Sequence, residues 1–453
     1  MKMIFSFCVV AILYFAGIGS KCFAQNNASK VLTLSDCFEY AFENSYDLRK
    51  AVLDRLESEA AHSENKAALF PQIIGSATLT NNIKLASILM PGEFFGYDGD
   101  IAIEMGAKYN SYAGLNLEQV IFDANLFTGI KNSRNARELT RLKEQMTKEE
   151  LIYNIGNAYY DIIYSQNLLE SNLQTLVIMD SIYAKTELQV AQNITREIDL
   201  NRMKVGISNM KVDIHKSLAT IVQQKNYLKV LIGMPIAYDF MVSDQIEAPT
   251  TERIFIEDTD IRNQIDLQIL DREQTAASLE VRQIKNSYIP TLSLRASSSY
   301  NFEAQKFQLS NSQFWSNGTF VQLTLSVPIF DGGQKLHRIR QTQYRFQRVQ
   351  EDIKQTEQNI LGDRESYRAL LLTGYNSVQA QHENLDIAEK TYQQGIMLYE
   401  EGLYSITDLL DTEKSFREAQ TAYTYELVNY QKTMLDLMKA EGTLETLVNN
   451  NKK

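Results

Sequence analysis

The sequence predicts a mainly α-helical protein with a membrane β-barrel portion, in which long antiparallel coiled-coil helices and four β-strands come from one internal duplication. Three observations carry this. Landmark strings recur in order at a nearly constant spacing, apolar seams run through long proline-free stretches, and segments of ten to twelve residues alternate strictly between apolar and polar.

The duplication is read from four matches. The stretch from Asn44 resembles that from Asn263, aligning Asp47 with Asp266 and Pro71 with Pro290 at an offset of 219. "LNLEQVIFD" ending at Asp123 matches "LTLSVPIFD" ending at Asp331, offset 208. "NITREIDL" from Asn193 matches "GLYSITDL" from Gly402, and Gly233 matches Gly442, both offset 209. The offset falls only between Pro71 and Asp123, so the length difference lies in one loop. Each half reads as helix, strand, loop, strand, very long helix, short turn, helix. The expected boundaries are a signal peptide at 1–24, a first repeat at 25–235, a linker at 236–259, a second repeat at 260–446 and a polar tail at 447–453. In the first repeat the strands are expected at about 72–83 and 109–122, and the helices at 124–192 and 196–232. In the second the strands are expected at about 291–303 and 318–330, and the helices at 333–400 and 406–441.

All six prolines fall at joints of this plan, and none interrupts a long helix, where proline costs about 3 kcal/mol. Along the first long helix Leu151, Ile155, Ala158, Ile162, Leu169, Leu173 and Leu176 form an apolar seam. Leu409, Phe416, Ala419, Tyr423, Tyr430, Met434 and Leu437 form another near the C-terminus, again with coiled-coil-like spacing. At 1.5 Å per residue the first long helix runs close to ~100 Å, so it needs partners along its length.

The strands alternate. Leu292, Leu294, Ala296, Tyr300 and Phe302 point one way, while Thr291, Ser293, Arg295, Ser297, Ser299 and Asn301 point the other. Val321, Leu323, Leu325, Val327 and Ile329 alternate with Gln322, Thr324 and Ser326. Segments at 72–80 and 113–121 behave likewise. Such lengths suit tilted membrane-spanning strands, and aromatics near the loops, among them Phe94, Phe95, Tyr109 and Trp315, suit an interfacial girdle. Four strands do not close a barrel, and open edges do not persist in lipid. The strands must therefore be shared between copies: eight from two or twelve from three.

Composition narrows the function. Lys2, the apolar run Ile4–Ile18 and Cys22-Phe23-Ala24 read as a secretory signal cleaved after Ala24, too short for a spanning helix. Lys21 departs from the small residue expected before a lipidated cysteine. Only Cys37 then remains, so no internal disulfide is expected. The net charge is −11, or −13 without Lys2 and Lys21, which argues against nucleic acid as a partner. His62, His215, His337 and His382 lack metal-ligand spacing, so no metal is expected. There is no nucleophile elbow and no phosphate loop; Gly332-Gly333 reads as a strand-to-helix bend, because the lysine of such a loop is missing. No catalytic residue and no cofactor are expected.

Taken together, these features resemble the TolC-like outer membrane efflux protein family over essentially the whole mature chain. The carriers are the joints Phe70-Pro71 and Ile289-Pro290, the joints "VIFD" and "PIFDGG", and the turn "YEEGLYSITDLLD" from Tyr399. The resemblance implies a homotrimer with a twelve-stranded barrel in outer-membrane lipid, continued by an α-helical tunnel in the periplasm. It implies an exit duct that works with a periplasmic adaptor protein and an inner-membrane pump. It further implies that Asp408 and Asp411 form acidic rings at the tunnel entrance, and their spacing of three independently places them on one helix face. Asp199 and Tyr399 match a pair that holds the entrance shut by a hydrogen bond, whereas Tyr404 stands where the family's second lock has an arginine. Gly402 and Leu403 match turn residues that touch the adaptor, with Asn193 as the first-half counterpart. Other jobs fit parts of the pattern: a periplasmic coiled-coil scaffold without a channel, or a duct for proteins rather than small molecules.

Overall fold

The computed structural model describes residues 30–449 except 97, 244–245, 247–248 and 250–259. The expected signal peptide, most of the linker and the last four residues lie outside these described residues. The described residues begin with β1 (Lys30–Leu32), α1 (Leu34–Asn44) and α2 (Tyr46–Ala67). Thr33 caps α1 through a reciprocal bond with Asp36, and the helix breaks at Ser45. Next come β2 (Gln72–Asn81), β3 (Ala86–Pro91), β4 (Asp100–Met105) and β5 (Tyr109–Phe122), then α3 (Ala124–Ala191) and α4 (Glu197–Ile232). After β6 (Phe240–Val242) the pattern returns as α5 (Ile265–Asn286), β7 (Thr291–Ala304), β8 (Trp315–Ser326), α6 (Gln334–Glu400) and α7 (Ile406–Glu441), with a last turn α8 (Thr446–Asn449).

The paired Asp123 and Asp331 start the long helices. Asp123 accepts from the Asn125 amide at 2.7 Å. Asp331 accepts from Gly333 and Lys335, each at 3.1 Å. A carboxylate there satisfies amides that the first helical turn leaves unpaired. The other ends also match: α4 and α7 stop at Gly233 and Gly442, with φ of 75° and 68°. At Gly233 a Cβ would lie 2.1 Å from the Asn44 carbonyl oxygen, so only glycine fits.

The helix α3 is the spine, packing on α2, α4, α5 and α7, while α6 packs on α5 and α7. Its 68 residues run about 100 Å. Where α1, α3, α4, α6 and α7 meet, a single core holds Phe38, Ile152, Ile155, Ile162, Ile163, Leu228, Leu371, Tyr430 and Leu437. The strands β1 and β6 pair in parallel on this core. The Tyr159 hydroxyl reaches the carbonyl oxygens of Leu32 and Ser243, each at 3.3 Å, pinning the N-terminal strand and the linker strand to the spine. Toward the far end the buried stripe of α3 moves to Asn172, Thr175, Met179, Ile182 and Thr186, and Leu173 of the expected seam is exposed. A straight helix of 3.6 residues per turn drifts off a heptad seam.

The sheet has the order β2-β5-β7-β8, antiparallel throughout. Leu292 faces Leu325 and Leu294 faces Leu323 across one side, while Ser293 faces Thr324 and Arg295 faces Gln322 across the other. On that polar side Arg295 donates to Glu118 at 2.6 Å. The apolar side stands open, with Ile73, Leu115, Val321, Leu323 and Leu325 exposed. The outer edges of β2 and β8 have no partner strand among the described residues. The strand β8 ends at Ser326 rather than near 330, because Pro328 has no N–H to continue the ladder. The loop expected between β2 and β5 is instead a hairpin of β3 and β4, with Phe94 and Phe95 in its turn. Among the described residues, no helix is long and apolar enough to cross a membrane.

Candidate functional site at the helical tip

Both helix pairs reverse direction at the end remote from the sheet. The two turns are built alike. In the first, the Asn193 amide donates to the Val190 carbonyl and Ile194 to Gln189. In the second, Gly402 donates to Tyr399 and Leu403 to Leu398. Closing a helix this way needs a left-handed residue: Gly402 has φ 73°, and Asn193 with φ 60° is the one non-glycine residue with positive φ among those described. Each turn thrusts an apolar side chain outward, Ile194 (68% exposed) and Leu403 (72%). Sequence reasoning named Leu403 and missed Ile194, although the 209-residue offset maps one onto the other.

Behind the turns lies a small core of Ile182, Met203, Tyr392, Tyr399, Ile406 and Leu409, drawn from all four long helices. Tyr399 is buried there, with its hydroxyl 2.7 Å from the Thr186 hydroxyl. Thr186 has one hydroxyl hydrogen and gives it to the Ile182 carbonyl, so the phenol is the donor of the pair. This bond ties α3 to α6, and beside it Lys185 pairs with Glu400.

Asp199 is also buried, but it does not meet Tyr399 as expected. Its carboxylate pairs with two nearby cations, Arg196 just before its own helix at 3.2 Å and Arg202 within it at 3.8 Å. Each member of the expected pair has a partner nearer by, which is the physical reason for the difference, although the Asp199 oxygen facing Arg202 makes no hydrogen bond. Arg202, unsuspected from the sequence, donates to the Thr407 hydroxyl at 2.7 Å and so links α4 to α7.

Asp408 and Asp411 are exposed on the first turns of α7. Asp408 also has a local role, since Ser405 donates to its carboxylate at 2.6 Å and accepts from its amide at 3.2 Å. That is a capping interaction, favourable for an acid at a helix start. Asp411 lies on the groove between α4 and α7, which Arg202, Lys414 and Arg417 also line. Deeper in, Glu413 is buried against Tyr392, with Arg417 at 3.3 Å in poor hydrogen-bonding geometry and Asp213 of α4 3.8 Å from Arg417. Burial pushes the Glu413 carboxyl above its ordinary range, and Arg417 offsets part of that rise. Burial also lifts the Tyr392 phenol. Among the described residues, no cluster of ligating side chains is placed to hold a metal ion.

Comparison with known proteins agrees with this architecture. Residues 261–443, the second repeat, match the family model described as outer membrane efflux protein. The cation efflux system protein CusC of Escherichia coli O157:H7 is 24% identical over 397 residues, covering 84% of this chain and 80% of that protein. The outer membrane protein TolC of Escherichia coli K12 is 21% identical over 448 residues, covering 94% and 85%. The CmeC outer membrane channel of Campylobacter jejuni superposes with a TM-score of 0.72 at 15% identity, covering 93% of this chain and 89% of that one. Over most of its length the chain is thus similar to outer membrane efflux proteins, and its second repeat carries that family's pattern, which supports an outer-membrane exit duct.

Proposed function

We propose that three copies of the chain close a twelve-stranded barrel and a helical tunnel, and that the tip is the gated entrance through which a pump delivers its cargo. The observation that carries this is the four-stranded sheet. Its apolar side is open and both its edges lack a partner strand, which in lipid demands completion by other copies. A free-standing scaffold would leave the same apolar surface in water. Members of the family work as trimers with adaptors and inner-membrane pumps, and the same partners are proposed here. Cargo chemistry enters with the pump, and the chain catalyses no step.

At the entrance, Asp408 and Asp411 would stack as two rings of three carboxylates, attracting cations and opposing their own approach. Tyr399 through Thr186, and Asp199 through Arg202 and Thr407, would hold α6 and α7 against α3 and α4 and so favour the shut state. The paired turns with Asn193, Gly402, Leu403 and Ile194 would present the adaptor with apolar knobs. In the test, detergent-purified protein runs unheated as a trimer on gels and forms channels in planar bilayers. Asp408→Asn combined with Asp411→Asn should weaken cation selectivity and block by multivalent cations. Protein that stays soluble and monomeric without detergent would overturn the duct; a double variant that conducts and is blocked like the parent would remove these aspartates from the entrance.

A further inference from the structure

The β3–β4 hairpin has one wholly apolar side, and among the described residues no other helix or strand makes more than slight contact with it. Register places Ala86 opposite Met105, Ile88 opposite Ile103 and Met90 opposite Ile101 on that side. Ile88 remains 50% and Met105 53% exposed. A lone two-stranded ribbon with an uncovered apolar face is at best marginally stable in water, so this face needs a partner. The hairpin is nonetheless built firmly at both ends. At its base Asn82 donates from its amide to the Lys108 carbonyl and from its side chain to the Ala107 carbonyl, each at 2.8 Å. At its tip Gly92 donates to the Gly99 carbonyl at 2.9 Å.

Its position in the sheet limits what the partner is. The hairpin grows directly from β2, the open edge strand. In a closed barrel it is flanked by two β7–β8 connections: its own across β5 and β7, and that of the next copy across the seam between β2 and the neighbour's β8. Its own is already in place. Gln305 donates to the Gly106 carbonyl at 2.9 Å, and Phe307 packs edge-on against Tyr109 at 5.4 Å, both at the hairpin's base. That contact leaves Ile88 and Met105 exposed and Met90, Ile101 and Ile103 only half-buried. The connection is itself a shaped knob, held by Trp315 donating to the Leu309 carbonyl at 2.8 Å, and it still exposes Phe307, Leu309 and Phe314. Charge agrees: residues 86–105 carry four acids and no base, whereas the connection carries Lys306 and no acid.

We infer that the apolar face of each β3–β4 hairpin docks on the β7–β8 connection of the adjacent copy, strapping the subunits together at the outer mouth of the barrel. This rests on the trimeric duct proposed above. The test puts Ile103→Cys and Leu309→Cys on separate, differently tagged full-length chains, so that a bond joins copies only. Cys37 is buried and stays in place. Co-expressed in outer membranes and oxidised, the two chains should give a reducible cross-linked band carrying both tags. Replacing Ile103→Cys with Leu89→Cys, on the opposite face of the hairpin, should give none. Independently, Ile88→Ser with Ile103→Ser should lower the temperature at which unheated trimers fall apart on gels, and Leu89→Ser should not. Trimers without the mixed cross-link would overturn the strap and leave the duct standing, and so would self-cross-linking of Ile103→Cys chains across the axis. Absence of any trimer would instead be a failure of the duct.

Discussion

Tyr399→Phe removes one oxygen from the most enclosed tie at the tip, and its effect follows from the local bonding. The phenol donates to Thr186 at 2.7 Å, and Thr186 keeps its own bond to Ile182 after the change. No buried donor is orphaned, so the loss is that of one neutral hydrogen bond, about 1 kcal/mol per subunit. If the three tips open together, the shut state loses ~3 kcal/mol, on the order of a hundredfold in the shut-to-open ratio at 1.4 kcal/mol per tenfold. Thr186→Val should cost more, because it strands a buried phenol, at about 1–3 kcal/mol. The double variant should then fall well short of the two effects added. Asp199→Asn should do far less, since Arg196 is exposed to solvent and Arg202 keeps its bond to Thr407. Single-channel recordings in planar bilayers read the open probability and conductance of each variant. Equal opening by Asp199→Asn and Tyr399→Phe, with Thr186→Val silent, would refute this reasoning, because it would mean that Asp199 and Tyr399 act as one bonded pair.

Two further predictions concern the barrel and the buried acid. Leu323→Arg places a charge on the apolar side of the sheet, where arginine at the bilayer midplane costs roughly 2–4 kcal/mol, whereas Thr324→Arg places it among Gln322, Arg295 and Glu118. Heat-resistant trimer in outer membranes should fall sharply for the first and little for the second, and the reverse order would mean the register is inverted. Glu413 has its carboxyl pushed up by burial, so the folded tip binds that proton more tightly than the unfolded chain does. The stability it contributes is present below the ordinary glutamate range, near ~4.3, and is lost as pH rises through the raised value. Glu413→Gln should therefore raise the melting temperature at pH 8 and make little difference at pH 4, with Tyr392, Arg417 and Asp213 as the surrounding groups. A variant melting below the parent at pH 8 would show that the pairing with Arg417 outweighs the burial cost.

How much of this was legible in the sequence depends on whether a feature repeats. Paired landmarks such as Asp123 and Asp331, or Gly233 and Gly442, each do one local job, starting or ending a helix, and local jobs leave short strings in fixed places. Alternation likewise set the faces of β7 and β8, because a period of two leaves only one choice of side. The hairpin escaped notice because it has no counterpart in the second half, where the β7–β8 connection is short. Its own alternation, Ala86, Ile88, Met90 and Ile101, Ile103, Met105, was nonetheless visible. The linker strand β6 is three residues long and becomes a strand only because β1 and Tyr159 meet it, which no local pattern encodes.

The tip shows the same division more sharply. The turn residues Asn193 and Gly402 were readable because backbone geometry restricts them to few residue types. The bonds of Tyr399 and Asp199 were not, because a buried hydroxyl or carboxylate takes whichever partner packing brings closest. Here those partners are Thr186 on the facing helix and two arginines three residues away in sequence, one before the helix of Asp199 and one within it. The consequence is mechanical. The phenol joins α3 to α6 and Arg202 joins α4 to α7, so each helix pair is fastened to the other by a separate bond, and Asp199 serves the second by steadying Arg202. Opening need not break both together. An adaptor that pries apart one pair meets about 1 kcal/mol per subunit at Tyr399, and about 1.5–3 kcal/mol at the charged Arg202 bond before its exposure to solvent is discounted.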